Sequence, residues 1–199
     1  MLAILVEQRW GPLLRFDRRF DDDLNHHEAA HSSEVAFWRG VSDVLSPAVV
    51  RTALLVVGAW LLYRRRIGPA VVCAVASLGS LALVTAVKDG IGRPRPVVPV
   101  HEASAPGASF PSGHATTAVA AALTAIVLSW PLLSPRWRWV VAVGSSLVAA
   151  AVGFSRLALG VHYPSDVVGG WFGATALVFG AVALLRFWPG ERRPRAGRR

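Results

Sequence analysis

Cysteine, lysine and acidic residues are all scarce in this sequence. Cys73 is the single cysteine and lies inside an apolar run, which excludes an intrachain disulfide and leaves the redox compartment open. Of 21 basic residues only Lys88 is a lysine, and 12 acids oppose them. Charged residues make up 17% of the 199 positions, whereas a soluble domain carries about a quarter. No signal peptide with a small-residue cleavage site is evident, and no internal repeat or low-complexity linker divides the chain, so a single domain over 1–199 is expected. What is abundant is apolar: 53% of residues are hydrophobic and the mean hydropathy is +0.45. That composition favours a membrane protein.

Five apolar segments are each about as long as a bilayer span requires. They run from Pro47 to Tyr63, Ile67 to Val87, His114 to Leu132, Trp137 to Phe154 and Pro164 to Trp188. The expected fold is therefore all-α, a polytopic transmembrane helical bundle over 47–188 with a basic tail over 189–199. Arg51, in the first span, either faces the bundle interior or snorkels to a surface. Gly169 and Gly173 have the spacing of a close helix contact. Residues 1–46 mix charges with Trp10, Leu13, Leu14, Phe16 and Phe20, a pattern that predicts short amphipathic helices lying at a membrane surface. Asp21, Asp22 and Asp23 near His26, His27 and His31 have metal-ligand chemistry, but consecutive carboxylates fan out around a helix, and a solvated helix start accounts for them better.

Charge then orients the bundle. Arg64 to Arg66, Arg136, Arg138 and the stretch from Arg186 onward hold 11 arginines against one acid, Glu191. Alternation of five spans puts these regions on one side. The opposite side carries residues 1–46, with 5 basic and 8 acidic residues, the loop from Lys88 to Ser112, and the stretch from Ser155 to Asp166. The excess of arginine places the first side in the cytoplasm and the second outside. It also explains the net charge of +9 without nucleic acid as a partner.

Three constellations share the outer side. In Ser155-Arg-Leu-Ala-Leu-Gly-Val-His-Tyr-Pro-Ser-Asp166, Pro164 favours a helix start, from which the Asp166 carboxylate can reach back to His162. A carboxylate on one ring nitrogen leaves the other as base or nucleophile. Arg156 adds a planar fork suited to phosphate oxygens. Alone, the stretch fits a satisfied histidine at a helix start equally well. Lys88-Asp-Gly-Ile-Gly-Arg-Pro-Arg95-Pro96 puts the only lysine at a span end, followed by Arg93 and Arg95, cations that can also simply anchor a helix at headgroups. Phe110-Pro-Ser-Gly-His114 places Ser112 as an N-cap before an apolar helix, where amides and a glycine form an anion site. Together they would compose one site: Lys88, Arg95 and Arg156 could neutralise phosphate charge while Ser112 and helix-start amides donate to its oxygens, and His162 would attack phosphorus and His114 protonate the leaving oxygen. No cofactor or metal is required.

Lys88 with Arg95-Pro96, then Pro111-Ser112-Gly113-His114, then Ser155-Arg156 with His162 and Asp166, resembles the three-part signature of the type 2 phosphatidic acid phosphatase family. That family shares its site with vanadium-dependent haloperoxidases and bacterial acid phosphatases. The resemblance implies an all-helical fold and metal-independent dephosphorylation through a phosphohistidine. His162 would be the nucleophile, Asp166 its orienting partner and His114 the general acid. Lys88, Arg95, Ser112, Gly113 and Arg156 would hold the phosphoryl group. Membrane members usually have six spans against the five drawn here, and Met1 to Val6 is where a first span could end. The implied activity is a cell-membrane lipid phosphatase acting at the outer leaflet, with undecaprenyl diphosphate first, then phosphatidic acid or phosphatidylglycerol phosphate. The loop from Val97 to Phe110 offers only His101 and Glu102 as polar hints of specificity. A lipid phosphotransferase using the same site is the enzymatic alternative, and a non-catalytic lipid-binding membrane protein is the alternative from another class. The haloperoxidase activity suits a soluble scaffold rather than this one.

Overall fold

The computed structural model describes residues 1–29, 31–96 and 107–186. The polar hints His101 and Glu102 and the basic tail lie outside them. The described residues form helices and no strands: α1 (Leu2–Glu7), α2 (Gly11–Ala29), α3 (Ser32–Val44), α4 (Pro47–Tyr63), α5 (Ile67–Ala74), a π-helical turn (Val75–Gly79), α6 (Ser80–Ile91), α7 (Gly113–Ser129), a 3₁₀ turn (Trp130–Leu132), α8 (Pro135–Ala158) and α9 (Pro164–Arg186). Proline opens α4, α8 and α9, where its fixed φ suits a first turn and its missing N–H costs no helical bond. Gly92 ends α6 with φ 60°, and its N–H returns to the Lys88 carbonyl at 2.9 Å, a left-handed cap that glycine adopts without strain.

Five helical segments among the described residues are long and apolar enough to cross a membrane: Ser33–Tyr63, Ile67–Ile91, Gly113–Leu132, Pro135–Ala158 and Pro164–Leu185. The first begins well before Pro47, because α3 continues the apolar stretch of α4 across the Leu45–Ser46 break. Nor does α3 lie free on a surface. Its Val41 and Leu45 pack on Ala118, Ala122, Ala149 and Val152, and Trp38 meets Phe154 edge-on at 4.9 Å. Asp21 to Asp23 fall in the middle of α2 rather than at a helix start, with Asp21 turned inward and Asp22 and Asp23 exposed.

Helix α7 is the centre of the bundle and packs against α4, α6, α8 and α9. The bundle interior around it is built from small side chains: Ala115 and Ala120 of α7 and Ala174 of α9 are fully buried, alongside Thr116, Thr117 and Thr124. Large apolar residues such as Val56, Leu147, Phe172 and Phe179 face outward instead. Small inside and large outside is the arrangement expected where lipid, not water, surrounds the helices and close backbone approach holds them together. Arg51 lies part-buried and donates from Nε to the Pro47 carbonyl at 2.9 Å within its own helix. At the end opposite Lys88, Arg64 stacks on Trp60 and Arg138 on Trp130, each 5.5 Å from the ring centre, a pairing suited to a membrane–water boundary.

The Gly169 and Gly173 pair does mark close contact. A Cβ on Gly169 would stand 2.5 Å from the buried Phe110 ring, and one on Gly173 would stand 3.0 Å from Leu83. Gly169→Ala therefore forces Phe110 to shift. Overpacking of this kind costs about 1–3 kcal/mol and outweighs the gain of up to about 1 kcal/mol in helix propensity. Gly144→Ala meets open space and should keep that propensity gain. Thermal unfolding in detergent micelles should rank Gly169→Ala below wild type and Gly144→Ala at or above it; equal midpoints for the two variants would contradict this packing.

Candidate active site

The end of α6, the approach to α7, the end of α8 and the start of α9 converge at one pole of the bundle. Lys88 lies in the last turn of α6, and Arg95 follows three residues beyond the Gly92 cap. Ser112 is the N-cap of α7; its Oγ faces the Ala115 N–H at 3.5 Å, and Gly113 and His114 form the first helical turn. Arg156 lies in the last turn of α8. The turn into α9 then uses Gly160 at φ 61° and presents His162, with Asp166 in the first turn of α9. The helices interlock here: the Ser112 N–H donates to the Asp166 carbonyl at 3.0 Å. Thr116 Oγ1 donates to the Ser112 carbonyl at 2.8 Å, and Gly170 leaves the space this approach needs.

His162 is 3% exposed and held from both ring nitrogens. Nε2 stands 3.2 Å from Arg95 Nη1, and Nδ1 stands 3.4 Å from Asp166 Oδ2. An arginine only donates, so Nε2 accepts and the ring proton belongs on Nδ1, facing the carboxylate. Burial, reinforced by Arg95 and Arg156, pulls the His162 pKa down to about 4 against the opposing pull of Asp166. The imidazole is thus neutral at physiological pH, with its lone pair on Nε2. Arg95 is fixed in turn by the carbonyls of Val161 (2.8 Å), Gly107 (3.0 Å) and Ala108 (3.4 Å).

Lys88 and His114 share this neighbourhood. The charges of Arg95, Arg156 and Asp166 act on Lys88, and those of Arg156 and Lys88 act on His114, with the Ser42 backbone within hydrogen-bonding reach of its ring. Arg156 Nη1 donates to Ser42 Oγ of α3. Its Nε is buried and has no hydrogen-bond partner among the described residues. A buried unpaired donor on a cation, beside a neutral imidazole and the start of α7, suits an oxyanion better than any other ligand.

Every residue expected at the site from the sequence, His162, His114, Asp166, Lys88, Arg95, Ser112, Gly113 and Arg156, lies at this pole. Four residues were missed. Arg93, read only as a neighbour of Arg95, is buried and donates from Nη1 to Asp166 Oδ1 at 2.6 Å and to Ser165 Oγ at 2.7 Å. Its Nη2 donates to Asp17 Oδ2 at 2.8 Å, and its guanidinium lies 4.3 Å over the Tyr163 ring. Asp17, Ser165 and Ser42 are the other three. Arg93 and Ser165 lie inside stretches already singled out, whereas no local pattern announces Asp17 and Ser42, which arrive from α2 and α3, segments whose amphipathic spacing pointed to a membrane surface.

Chemically, the arrangement offers a neutral ring nitrogen with a free lone pair, three cations and a capped helix start, a set suited to phosphoryl transfer. Comparison with known proteins agrees. The sequence matches an undecaprenyl-diphosphatase of Sulfolobus acidocaldarius at 36% identity over 76 residues, 38% of this chain but 33% of that protein. An undecaprenyl-diphosphatase of Bacillus subtilis matches more broadly, at 30% identity over 158 residues, 73% of this chain and 70% of that one. The chain thus spans about a third of the archaeal relative and over two thirds of the bacillar one. The fold superposes on the crystal structure of a transmembrane phosphatidylglycerolphosphate phosphatase from Bacillus subtilis with a TM-score of 0.77, at 21% identity over 96% of this chain and 95% of that one. Residues 69–189, more than half of the sequence, match the PAP2 superfamily, and the chain belongs to that family.

Proposed function

We propose that this protein is an integral membrane phosphatase that hydrolyses the terminal phosphate of a lipid phosphate or diphosphate at the outer leaflet, through a phosphohistidine and without a metal. The observation that carries this reading is the His162 ring, neutral and held between the Asp166 carboxylate and the Arg95 guanidinium. In the first step Nε2 attacks phosphorus, the bond to the lipid oxygen breaks, and His114 gives that oxygen a proton. The substrate oxygens take over the donors of Lys88, Arg95 and Arg156, including the unpaired Arg156 Nε, together with the Ser112 hydroxyl and the Gly113 amide. In the second step His114 takes a proton from water, whose oxygen attacks phosphorus and breaks its bond to Nε2, releasing phosphate and His162. Asp166 stabilises the positive charge on the ring during both.

A lipid substrate is supported by an apolar groove of about 480 Å³ that runs from Pro111 and Thr116 between Leu83, Val87, Phe110 and Phe172. It gives an acyl or prenyl chain a path from the bilayer to the capped start of α7. Outward orientation is supported by the arginines at the opposite pole, Arg64, Arg65, Arg66, Arg136 and Arg138. Undecaprenyl diphosphate is the substrate we favour, on the strength of the two undecaprenyl-diphosphatases named above, followed by phosphatidic acid or phosphatidylglycerol phosphate.

Purified protein should release phosphate from these lipids in the presence of EDTA, and a loss of activity on chelation would argue against the mechanism. His162→Ala should form no phosphoenzyme. His114→Ala should slow poor leaving groups most, and Lys88→Ala should cost about 2–4 kcal/mol of transition-state stabilisation, roughly 30- to 1000-fold in kcat/KM; wild-type kinetics in the lysine variant would remove Lys88 from the site. The ring nitrogens of His162, followed by ¹⁵N NMR, should keep the neutral pattern as pH falls through 6.5 and titrate near pH 4. Protonation removes the Nε2 lone pair, so the acid side of the pH–activity profile should fall through about pH 4, while loss of the proton that His114 must donate sets the other side. Titration at the ordinary value of 6.5 would show that the ring is solvated and not held as described.

A further inference from the structure

The roles above leave one buried polar cluster unused. Asp17, in the middle of α2, is fully buried and accepts three hydrogen bonds: from Ser165 Oγ at 2.6 Å and Arg93 Nη2 at 2.8 Å on Oδ2, and from the Ser165 N–H at 3.1 Å on Oδ1. The Ser165 amide belongs to the open first turn of α9, so Asp17 caps that helix from another part of the chain. Asp166 is the next residue. Arg93 therefore lies between two carboxylates, Asp17 on one nitrogen and Asp166 on the other, in a buried array whose net charge is −1.

We propose that Asp17 is a positioning residue for phosphoryl transfer: through Arg93 and the first turn of α9 it sets the place and the available charge of Asp166, and through Asp166 the orientation of the His162 ring. This rests on the role proposed for His162. Two physical effects are combined. The contact from His162 Nδ1 to Asp166 Oδ2, at 3.4 Å, is long, so small displacements of Asp166 decide whether the ring is oriented at all. The second effect is electrostatic. With Asp17 present, Arg93 is already neutralised on its far side, and Asp166 keeps charge to stabilise the positive ring of the phosphohistidine. Without it, Arg93 turns its full charge on Asp166 and withdraws that support. Asp17 lies outside residues 69–189, so the segment before the family match would complete the reactive centre.

The test compares full-length wild type, Asp17→Asn, Ser165→Ala, His162→Ala and, as a control, Asp22→Asn, an exposed acid on the same helix. Each is reconstituted in vesicles with a ³²P-labelled lipid phosphate. Rapid-quench trapping gives the phosphoenzyme rate, and steady-state assays separate kcat from KM. Asp17→Asn should lower the phosphoenzyme rate and kcat about 10- to 100-fold, by analogy with the range for outer partners that orient a metal-ligating histidine, with KM within about threefold of wild type. Asp22→Asn should match wild type. Equal kcat in Asp17→Asn and wild type, or a defect confined to KM, would overturn the proposal. Should Asp17→Asn fail to fold, Ser165→Ala decides: it removes the hydroxyl bridge and keeps both carboxylates, and it should lose several-fold in kcat at constant KM. Wild-type kcat there would overturn the proposal equally. If wild type itself forms no phosphoenzyme that His162→Ala abolishes, the function reading falls and takes this one with it; if it does and the Asp17 and Ser165 variants are unaffected, only this one falls.

Discussion

Asp166 is fully buried where three stretches of chain meet, and each of its oxygens serves a different one. The backbone carbonyl takes the Ser112 N–H and so ties α9 to the start of α7. Oδ2 faces His162 and takes the Tyr163 N–H at 3.0 Å, closing the turn from α8, while Oδ1 takes Arg93 from beyond the end of α6. A buried carboxylate is costly unless paired and hydrogen-bonded, and here each of those bonds also positions an element of the site. Stability and pre-organisation share the same contacts.

The surrounding bundle supplies the setting that such a site needs. Small residues along α7 let α8 and α9 approach closely enough for Ser112, Arg156 and Asp166 to share one pole. Large outward apolar residues match a lipid environment and leave the polar groups gathered at that pole. The cations, Arg156 buried and Lys88 and Arg95 half-buried, do not cancel one another's cost, since together they outnumber the one carboxylate at the ring. Their excess positive charge is a preference for a doubly negative group, and a lipid chain in the neighbouring groove would deliver such a group at the membrane boundary. Neutral His162 fits the same logic: burial and nearby cations disfavour its protonation, which keeps a lone pair on Nε2 for the attack we propose.

Much of this was legible before the structure, and the reason is spacing. Lys88 and Arg95, Ser112 and His114, Arg156 and His162, and His162 and Asp166 are close in sequence because each set occupies one helix end or turn, so local periodicity places them together. The five apolar spans were legible for the same reason. What escaped is long-range. The contacts of Arg93 with Asp17, of Arg156 with Ser42 and of Ser165 with Asp17 join residues 76, 114 and 148 positions apart, and no pattern in α2 or α3 distinguishes an acid that faces a site from one that faces water. Asp17 and Asp22 look alike in sequence and differ only in which side of α2 they occupy. The start of the first span was misplaced because Pro47 reads as a boundary, whereas α3 packs on α8 and carries the apolar stretch back to Ser33.

The claim on which the account turns is that the phosphoryl group visits the protein before it meets water. Each in-line displacement inverts phosphorus, so the stereochemistry of the released phosphate counts the displacements. With a lipid phosphate made chiral by sulfur and oxygen isotopes and hydrolysed in isotopically labelled water, two successive displacements give inorganic thiophosphate of retained configuration. Retention is the result expected here. Inversion would mean that water attacks directly, and it would contradict a phosphohistidine at this site.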